Sequence, residues 1–258
     1  MLTKFAALIL ALSAHSHAIA APQFMGKAVP YPVGTLQMEG YQVGSGTKGS
    51  ILVVHDWMGI TDKTKTKADA LAALGYQVFA SDIFGKNVRP KTSSEAKANS
   101  AQYYKDRRLF RDRLNAGLEV LKSISNKQPI AAVGYCFGGT GVIELARSGA
   151  ELRAVVSFHG GLDSPTPADG KNIKARVLAL HGADDPLVSA DNLNAFEQEM
   201  RTHSIDWQLI KYGGAVHSFT DPTAGNDPKK GAAYNPLADT RSWQAMQNFL
   251  TESFALVK

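Results

Sequence analysis

Cys136, Asp185 and His217 are, in that order along the chain, a sulfur nucleophile, a carboxylate and an imidazole, and each follows an apolar run that reads as a β-strand. Such a set can perform acyl transfer: the imidazole takes the thiol proton, the carboxylate orients the ring and stabilises its positive charge, and sulfur attacks a carbonyl. The thiol stands in Val133-Gly134-Tyr135-Cys136-Phe137-Gly138-Gly139, between the apolar residues 129–132 and the helix-like residues 140–145. A strand that enters a helix through Gly-x-Cys-x-Gly is the nucleophile-elbow pattern, with Cys where serine is commoner. Gly134 and Gly138 let strand and helix pass close together at a strained turn, and the helix N–H groups behind Cys136 favour a thiolate and a developing oxyanion. Asp185 is preferred to its neighbour Asp184 because Pro186 favours a tight outward turn there.

Two other readings compete for the same stretch. A lone Cys can be a small buried hydrophobe, and Gly134-x-x-x-Gly138-Gly139-x-Gly141 can be the phosphate loop of an NAD(P)-dependent short-chain dehydrogenase. Position weighs against the dehydrogenase. The glycines lie past the middle of the chain instead of closing a first strand, and no acid stands at the spacing a ribose requires.

The elements that must position these residues alternate between strand and helix. Strands are expected over residues 35–43, 51–55, 76–81, 130–134, 154–158, 175–180 and 206–212. Helices are expected over residues 64–74, 95–125 (in one piece or two), 139–147, 190–201 and 239–254. That alternation predicts a single α/β domain over residues 21–258, with a mostly parallel central sheet and helices on both faces. Function in such a sheet collects at the carboxyl ends of the strands, where His55-Asp56-Trp57, Asp82, Cys136, His159, Asp185 and His217 all stand. Residues 221–235, rich in Pro, Gly, Asn and Lys, read as a surface loop beside His217.

Lys4, the apolar residues 5–12 and Ala18-Ile19-Ala20 read as a signal peptide over residues 1–20, cleaved after Ala20, so an exported, periplasmic or secreted protein is expected. The apolar run is too short to span a bilayer, and no other long one follows. One Cys excludes an intramolecular disulfide. The net charge of +5, one unit of it from Lys4, comes without a basic patch interleaved with aromatics, so no nucleic-acid partner is expected. A monomer without metal or cofactor, acting on a small molecule, is the expectation.

Gly-Tyr-Cys-Phe-Gly-Gly, Ala-Asp-Asp-Pro-Leu-Val and Val-His-Ser-Phe together resemble the dienelactone hydrolase (carboxymethylenebutenolidase-like) family of the α/β-hydrolase fold, over nearly the whole chain after the leader. The resemblance implies Cys136, Asp185 and His217 as the triad, a thioacyl-enzyme, and hydrolysis of a carboxylic ester or lactone without a cofactor. It implies an oxyanion hole from the backbone N–H groups of Phe137 and Trp57. Two departures stand out. Asp56 takes the place of a glutamate that neighbours the resting thiol in the founding enzymes, where it would tune the nucleophile or else cap the next helix. Asp221 takes the place of an arginine that grips the substrate's carboxylate, which points to a neutral or aryl ester. The basic run Lys105, Arg107, Arg108, Arg111 and Arg113 reads as a solvated helix face. Trp57, Phe84, Tyr103, Phe137 and Phe219 are the expected pocket lining. A hydrolase scaffold that has lost catalysis and only binds a small ligand is the remaining alternative.

Overall fold

The computed structural model describes residues 23–255, so the expected leader over residues 1–20 lies outside the described residues. Eight strands form one sheet in the order β1-β2-β4-β3-β5-β6-β7-β8. β1 (Lys27–Val33) and β2 (Leu36–Val43) make an antiparallel hairpin turned at Gly34, and β2 joins β4 (Gln77–Ser81) antiparallel. From β4 onward every pair is parallel, through β3 (Ser50–Val54), β5 (Ile130–Tyr135), β6 (Ala154–Phe158), β7 (Arg176–Gly182) and β8 (Trp207–Tyr212). The central strands read as continuous apolar runs because both of their faces are covered.

Alternation along each strand sorts the core into two layers. Leu52 and Val54 of β3 pack toward α2 (Ser93–Lys105), α3 (Arg107–Ile124), α4 (Phe137–Arg147) and α5 (Ala190–Thr202). Ile51 and Val53 pack on the other side with α1 (Asp62–Ala73) and α6 (Pro236–Ala255). The expected sheet with helices on both faces is therefore the observed one. The long helical stretch breaks at Asp106, whose φ and ψ of −117° and 89° are not helical and whose carboxylate accepts the Leu109 N–H at 2.9 Å, starting α3.

One strand was not legible in advance. β1 carries Pro30 and Pro32, which speak against a strand. They sit two apart on an edge strand, where proline is tolerated because one row of N–H groups has no ladder to serve. Tyr31 between them fastens the edge by donating its hydroxyl to the Asp82 carbonyl at 2.9 Å.

Candidate active site

Parallel strands put their carboxyl ends on one rim, and β5, β7 and β8 deliver Cys136, Asp185 and His217 to it. Cys136 is the residue between β5 and α4, with φ 55° and ψ −115°, a conformation that only a tightly determined turn sustains in a non-glycine residue. The neighbouring glycines explain how the turn closes. A Cβ on Gly134 would lie 2.0 Å from the Gly138 oxygen, and one on Gly138 would lie 2.2 Å from the Val54 oxygen. These glycines serve the crossing of strand and helix, which removes the reason to read them as a phosphate loop for a nicotinamide cofactor.

His217 Nε2 lies 3.1 Å from Cys136 Sγ, and its Nδ1 lies 3.0 Å from Asp185 Oδ2. The other carboxylate oxygen of Asp185 accepts the Leu187 N–H at 2.8 Å, so the side chain is held from both ends. Asp184 is directed elsewhere: it is exposed and accepts the Gly214 N–H at 3.0 Å. Residues 221–235 do more than cover the surface, because the chain returns there to grip His217. Its N–H donates to the Gly231 carbonyl at 3.2 Å and its carbonyl accepts from Ala233 at 3.0 Å.

Burial works against a charged imidazole at His217, but the hydrogen bonds to Asp185 and Cys136, and the negative charge of both, outweigh it and hold its pKa up to about 10. The surroundings of His217 thus favour a protonated ring. His159, from the end of β6, packs its ring edge-on to His217 at 5.2 Å and reaches Thr220 Oγ1 at 2.9 Å through Nε2. Burial, then the charge of His217, pushes its pKa well down, so it stands as a neutral wall.

The Phe137 N–H is the first of α4 and has no intrahelical acceptor by position. Opposite it, Asp56 organises the turn after β3: Oδ1 accepts the Met58 N–H at 2.7 Å and its carbonyl accepts the Gly59 N–H at 3.2 Å, leaving the Trp57 N–H out of these bonds. His55, which the sequence left without a role, braces this turn. Its Nδ1 donates to the Asp56 carbonyl at 2.6 Å and its Nε2 accepts the Ile83 N–H at 3.1 Å. The capping reading of Asp56 is displaced from helix to turn, since α1 starts only at Asp62. Among the described residues Asp56 has no hydrogen bond to Cys136; its Oδ2 instead lies 3.7 Å from Lys63 Nζ.

The expected pocket lining is corrected in four places. Phe84, Tyr103 and Phe219 belong to the buried core, where packing on other rings holds them. Phe84 lies 5.7 Å from the Tyr103 ring, Tyr103 donates its hydroxyl to the Ile83 carbonyl at 2.8 Å, and Phe219 sits 5.6 Å from the Tyr212 ring. The Phe137 ring is also internal, stacked at 4.5 Å on Phe110, so only its backbone faces the site. Tyr104, the neighbour of Tyr103, is the tyrosine whose hydroxyl feels Cys136: burial, then the charge of Cys136, raises its pKa. Nothing in the sequence distinguishes the two adjacent tyrosines except helical phase.

The cavity itself, about 640 Å³, opens from Cys136 toward α1 and α6 and is lined by Trp57, Tyr135, His159 and Trp243 with two lysines. Lys63 and Lys67 come from one face of α1 and were invisible as site residues in the sequence. Lys63 Nζ lies 2.7 Å from Asp221 Oδ2, so this carboxylate, at the position where the resemblance implies an arginine, carries its own counter-ion. The match holds the Asp221 pKa down against its burial. Among the described residues no group of three or more His, Cys, Asp or Glu could hold a metal ion, and no helix is long and apolar enough to cross a membrane.

Comparison with known proteins places these features. Residues 38–254 match the sequence profile of the dienelactone hydrolase family. A protein of Caenorhabditis elegans described as uncharacterized protein K02A2.1 is 39% identical over 57% of this chain and 95% of its own. The human carboxymethylenebutenolidase homolog is 27% identical over 66% of this chain and 70% of its own. Among solved structures, m3DLH superposes with a TM-score of 0.83 at 37% identity, covering 89% of this chain and 98% of its own. A dienelactone hydrolase-like promiscuous phosphotriesterase, P91 from metagenomic libraries, superposes with a TM-score of 0.82 at 37% identity, covering 88% and 97%.

Proposed function

Since the chain belongs to the dienelactone hydrolase family, we propose that it hydrolyses carboxylic esters or lactones through a thioacyl-enzyme formed on Cys136. The observation that carries this reading is the unbroken line Sγ to Nε2 at 3.1 Å and Nδ1 to Oδ2 at 3.0 Å. The Cys136 thiolate attacks the carbonyl carbon, and the charge that develops on the carbonyl oxygen is met by the N–H groups of Phe137 and Trp57. The ester C–O bond breaks, and the His217 imidazolium gives its proton to the departing oxygen. His217, now neutral, takes a proton from water as that water attacks the thioester; the thiolate leaves and the imidazolium is restored. Asp185 keeps Nδ1 protonated and the ring in line throughout.

The substrate class follows from charge. Asp221 and Asp56 face one cavity with Lys63 between them, at 2.7 and 3.7 Å, and that lysine is already committed to both. A carboxylated lactone would find Lys63 already engaged and two carboxylates beside it, so neutral enol-lactones and aryl esters are the fitting substrates. A thiolate nucleophile also favours esters whose own leaving group departs readily. An exported enzyme is part of the same reading, resting on the leader-like residues 1–20.

The test is a panel of p-nitrophenyl acetate, a neutral enol-lactone and a carboxylated dienelactone on the protein and on Cys136→Ala. Turnover of the neutral compounds that disappears in the variant is the expected result. Preference for the carboxylated compound would overturn the substrate class. No turnover of any of them, with a thiol still open to iodoacetamide, would leave the ligand-binding scaffold. A neutral phosphotriester belongs in the panel as well, because P91 is described as a promiscuous phosphotriesterase.

A further inference from the structure

The cavity is far larger than an acyl carbonyl and a small leaving group require. At about 640 Å³ it falls within the range of pockets that enclose a whole drug-sized ligand. Its wall beyond the triad carries polar groups that the protein leaves without partners. Tyr135 is 8% exposed, yet its hydroxyl has no hydrogen-bond partner among the described residues, and the same holds for Nδ1 of His159. Buried polar groups without partners are rare, and a ligand is one of the few reasons to keep them.

Lys67 adds a partly buried cation to the same wall. It stands one helical turn beyond Lys63 on α1, with its ammonium 5.5 Å from the Tyr135 ring centroid and 6.0 Å from that of Trp243. Its nearest carboxylate oxygen, Asp239 Oδ1, is 3.7 Å away, beyond hydrogen-bond reach. Asp239 is itself engaged by the Tyr234 hydroxyl at 3.2 Å. Among the described residues no hydrogen bond uses the three donors of Lys67, so they remain for an acceptor in the cavity. One face of Tyr135 is closed by Phe158, stacked at 4.6 Å, and the residue lines the cavity.

Charge decides which acceptor fits. Lys67 and Asp239 balance each other, and Lys63 is set against both Asp56 and Asp221. The cavity is thus already short of positive charge, and an added carboxylate would deepen the imbalance. We propose that Lys67, Tyr135 and Trp243 form a second recognition point in this cavity, for a neutral oxygen-bearing group, a hydroxyl or carbonyl, on the substrate's tail remote from the bond cleaved. Trp243 supplies the apolar face along which the tail lies. This inference rests on the hydrolase reading for the position of the reacting bond, but the recognition point itself can be tested without turnover.

Two measurements separate the claims. The first is kcat/KM for three p-nitrophenyl esters with matched tails: hexanoate, 6-hydroxyhexanoate and the adipate monoester. The hydroxylated ester is expected to exceed the hexanoate about tenfold, the adipate to fall lowest, and the hydroxyl preference to shrink toward one in Lys67→Met and in Tyr135→Phe. The second is calorimetric binding of 6-hydroxyhexanamide and hexanamide to Cys136→Ala, in which no ester need be cleaved, with Lys67→Met added in the same background. Cleavage without tail preference, together with equal binding of the two amides, overturns the recognition point. An adipate preference that Lys67→Met removes overturns the neutral class. Selective binding of the hydroxylated amide with no ester cleaved keeps the recognition point and removes the hydrolase reading instead.

Discussion

Helix α4 carries a charged cluster at each end, and the two differ in what their protons can do. At its start Cys136 meets His217, and His217 meets Asp185, over 3.1 and 3.0 Å. Toward its end Glu144 and Arg147, both fully buried, join Arg111 and Glu199 in a ladder with contacts of 2.6 to 2.9 Å. Arg147 grips Glu199 with Nε and one Nη, reaches Glu144 with the other, and donates also to the Asp163 carbonyl at 3.0 Å. The distances in the two clusters are alike, but the chemistry is not. A guanidinium does not release its proton, so the ladder's charges are permanent and pinned by hydrogen bonds. In the proposed triad one proton would move between sulfur and imidazole. Burial around fixed charges yields a rigid anchor for the helix; burial around a movable proton would yield a nucleophile.

The comparison breaks first at Cys136. In Cys136→Ala kcat/KM for p-nitrophenyl acetate is expected to fall at least about 10⁴-fold, while thermal unfolding barely moves. Retention of activity within tenfold would mean that the movable proton is not where the chemistry lies. Asp185→Asn comes next, with a loss in kcat of about 10³-fold or more. It should also shift the alkaline limb of the rate profile. In the native protein that limb is expected near pH 10, where the imidazolium deprotonates, and loss of the carboxylate should move it downward. The stability linkage has the same origin. The folded pKa of His217 lies above its ordinary 6.5, so its contribution is whole below pH 6.5 and is lost as pH rises through about 10. Urea titrations across that window, on the native protein and on Asp185→Asn, measure it; an equal alkaline slope in both would remove the carboxylate from the account.

Arg147→Met examines the opposite end of the helix. It leaves Glu144 and Glu199 buried without their cation and is expected to cost about 3–5 kcal/mol of stability, read from denaturant midpoints. Activity per folded molecule should change little, because the ladder holds the helix without touching the proton path. A large fall in kcat at full folding would show that the two ends are coupled through α4.

The same contrast explains what the sequence could and could not disclose. The parallel strands were legible because β3, β5 and β6 are continuous apolar runs, and Cys136, Asp185 and His217 stood out because they lie at or a few residues beyond the ends of β5, β7 and β8. Asp56 and Trp57 were legible as strand-end residues, although the bonds of Asp56 to Met58 and Lys63 were not. The pocket was not legible, since an aromatic ring has the same signature in a core as in a cavity. Phe84, Tyr103 and Phe219 went to the core, while Tyr135 and Trp243 went to the cavity. Nor was the ladder: Arg111, Glu144, Arg147 and Glu199 are ordinary helix residues until α3, α4 and α5 converge. Lys63 and Lys67 show the limit best, because a lysine on α1 reads as solvated until the cavity beside that helix is known.

Lys63→Met is the smallest expected effect and the one that sharpens the comparison most. Lys63 is an intermediate case: its side chain is 40% exposed, its charge is permanent in the working range, and it joins the turn after β3 to the histidine loop through Asp56 and Asp221. Burial opposes its charge, but Asp221 and then Asp56 raise its pKa, so it stays an ammonium at neutral pH. An ion pair this open contributes about 0.2–1 kcal/mol, so stability should hardly change. Substrate choice should change instead. With the lysine gone, two carboxylates face the cavity uncompensated, and KM for the carboxylated dienelactone should rise severalfold relative to the neutral lactone. The gap should narrow as salt is added, since charges near solvent are screened. If both substrates lose kcat together and salt does not restore the difference, Lys63 acts by holding the turn after β3 in place, and it belongs with the rigid ladder instead of the substrate's charge.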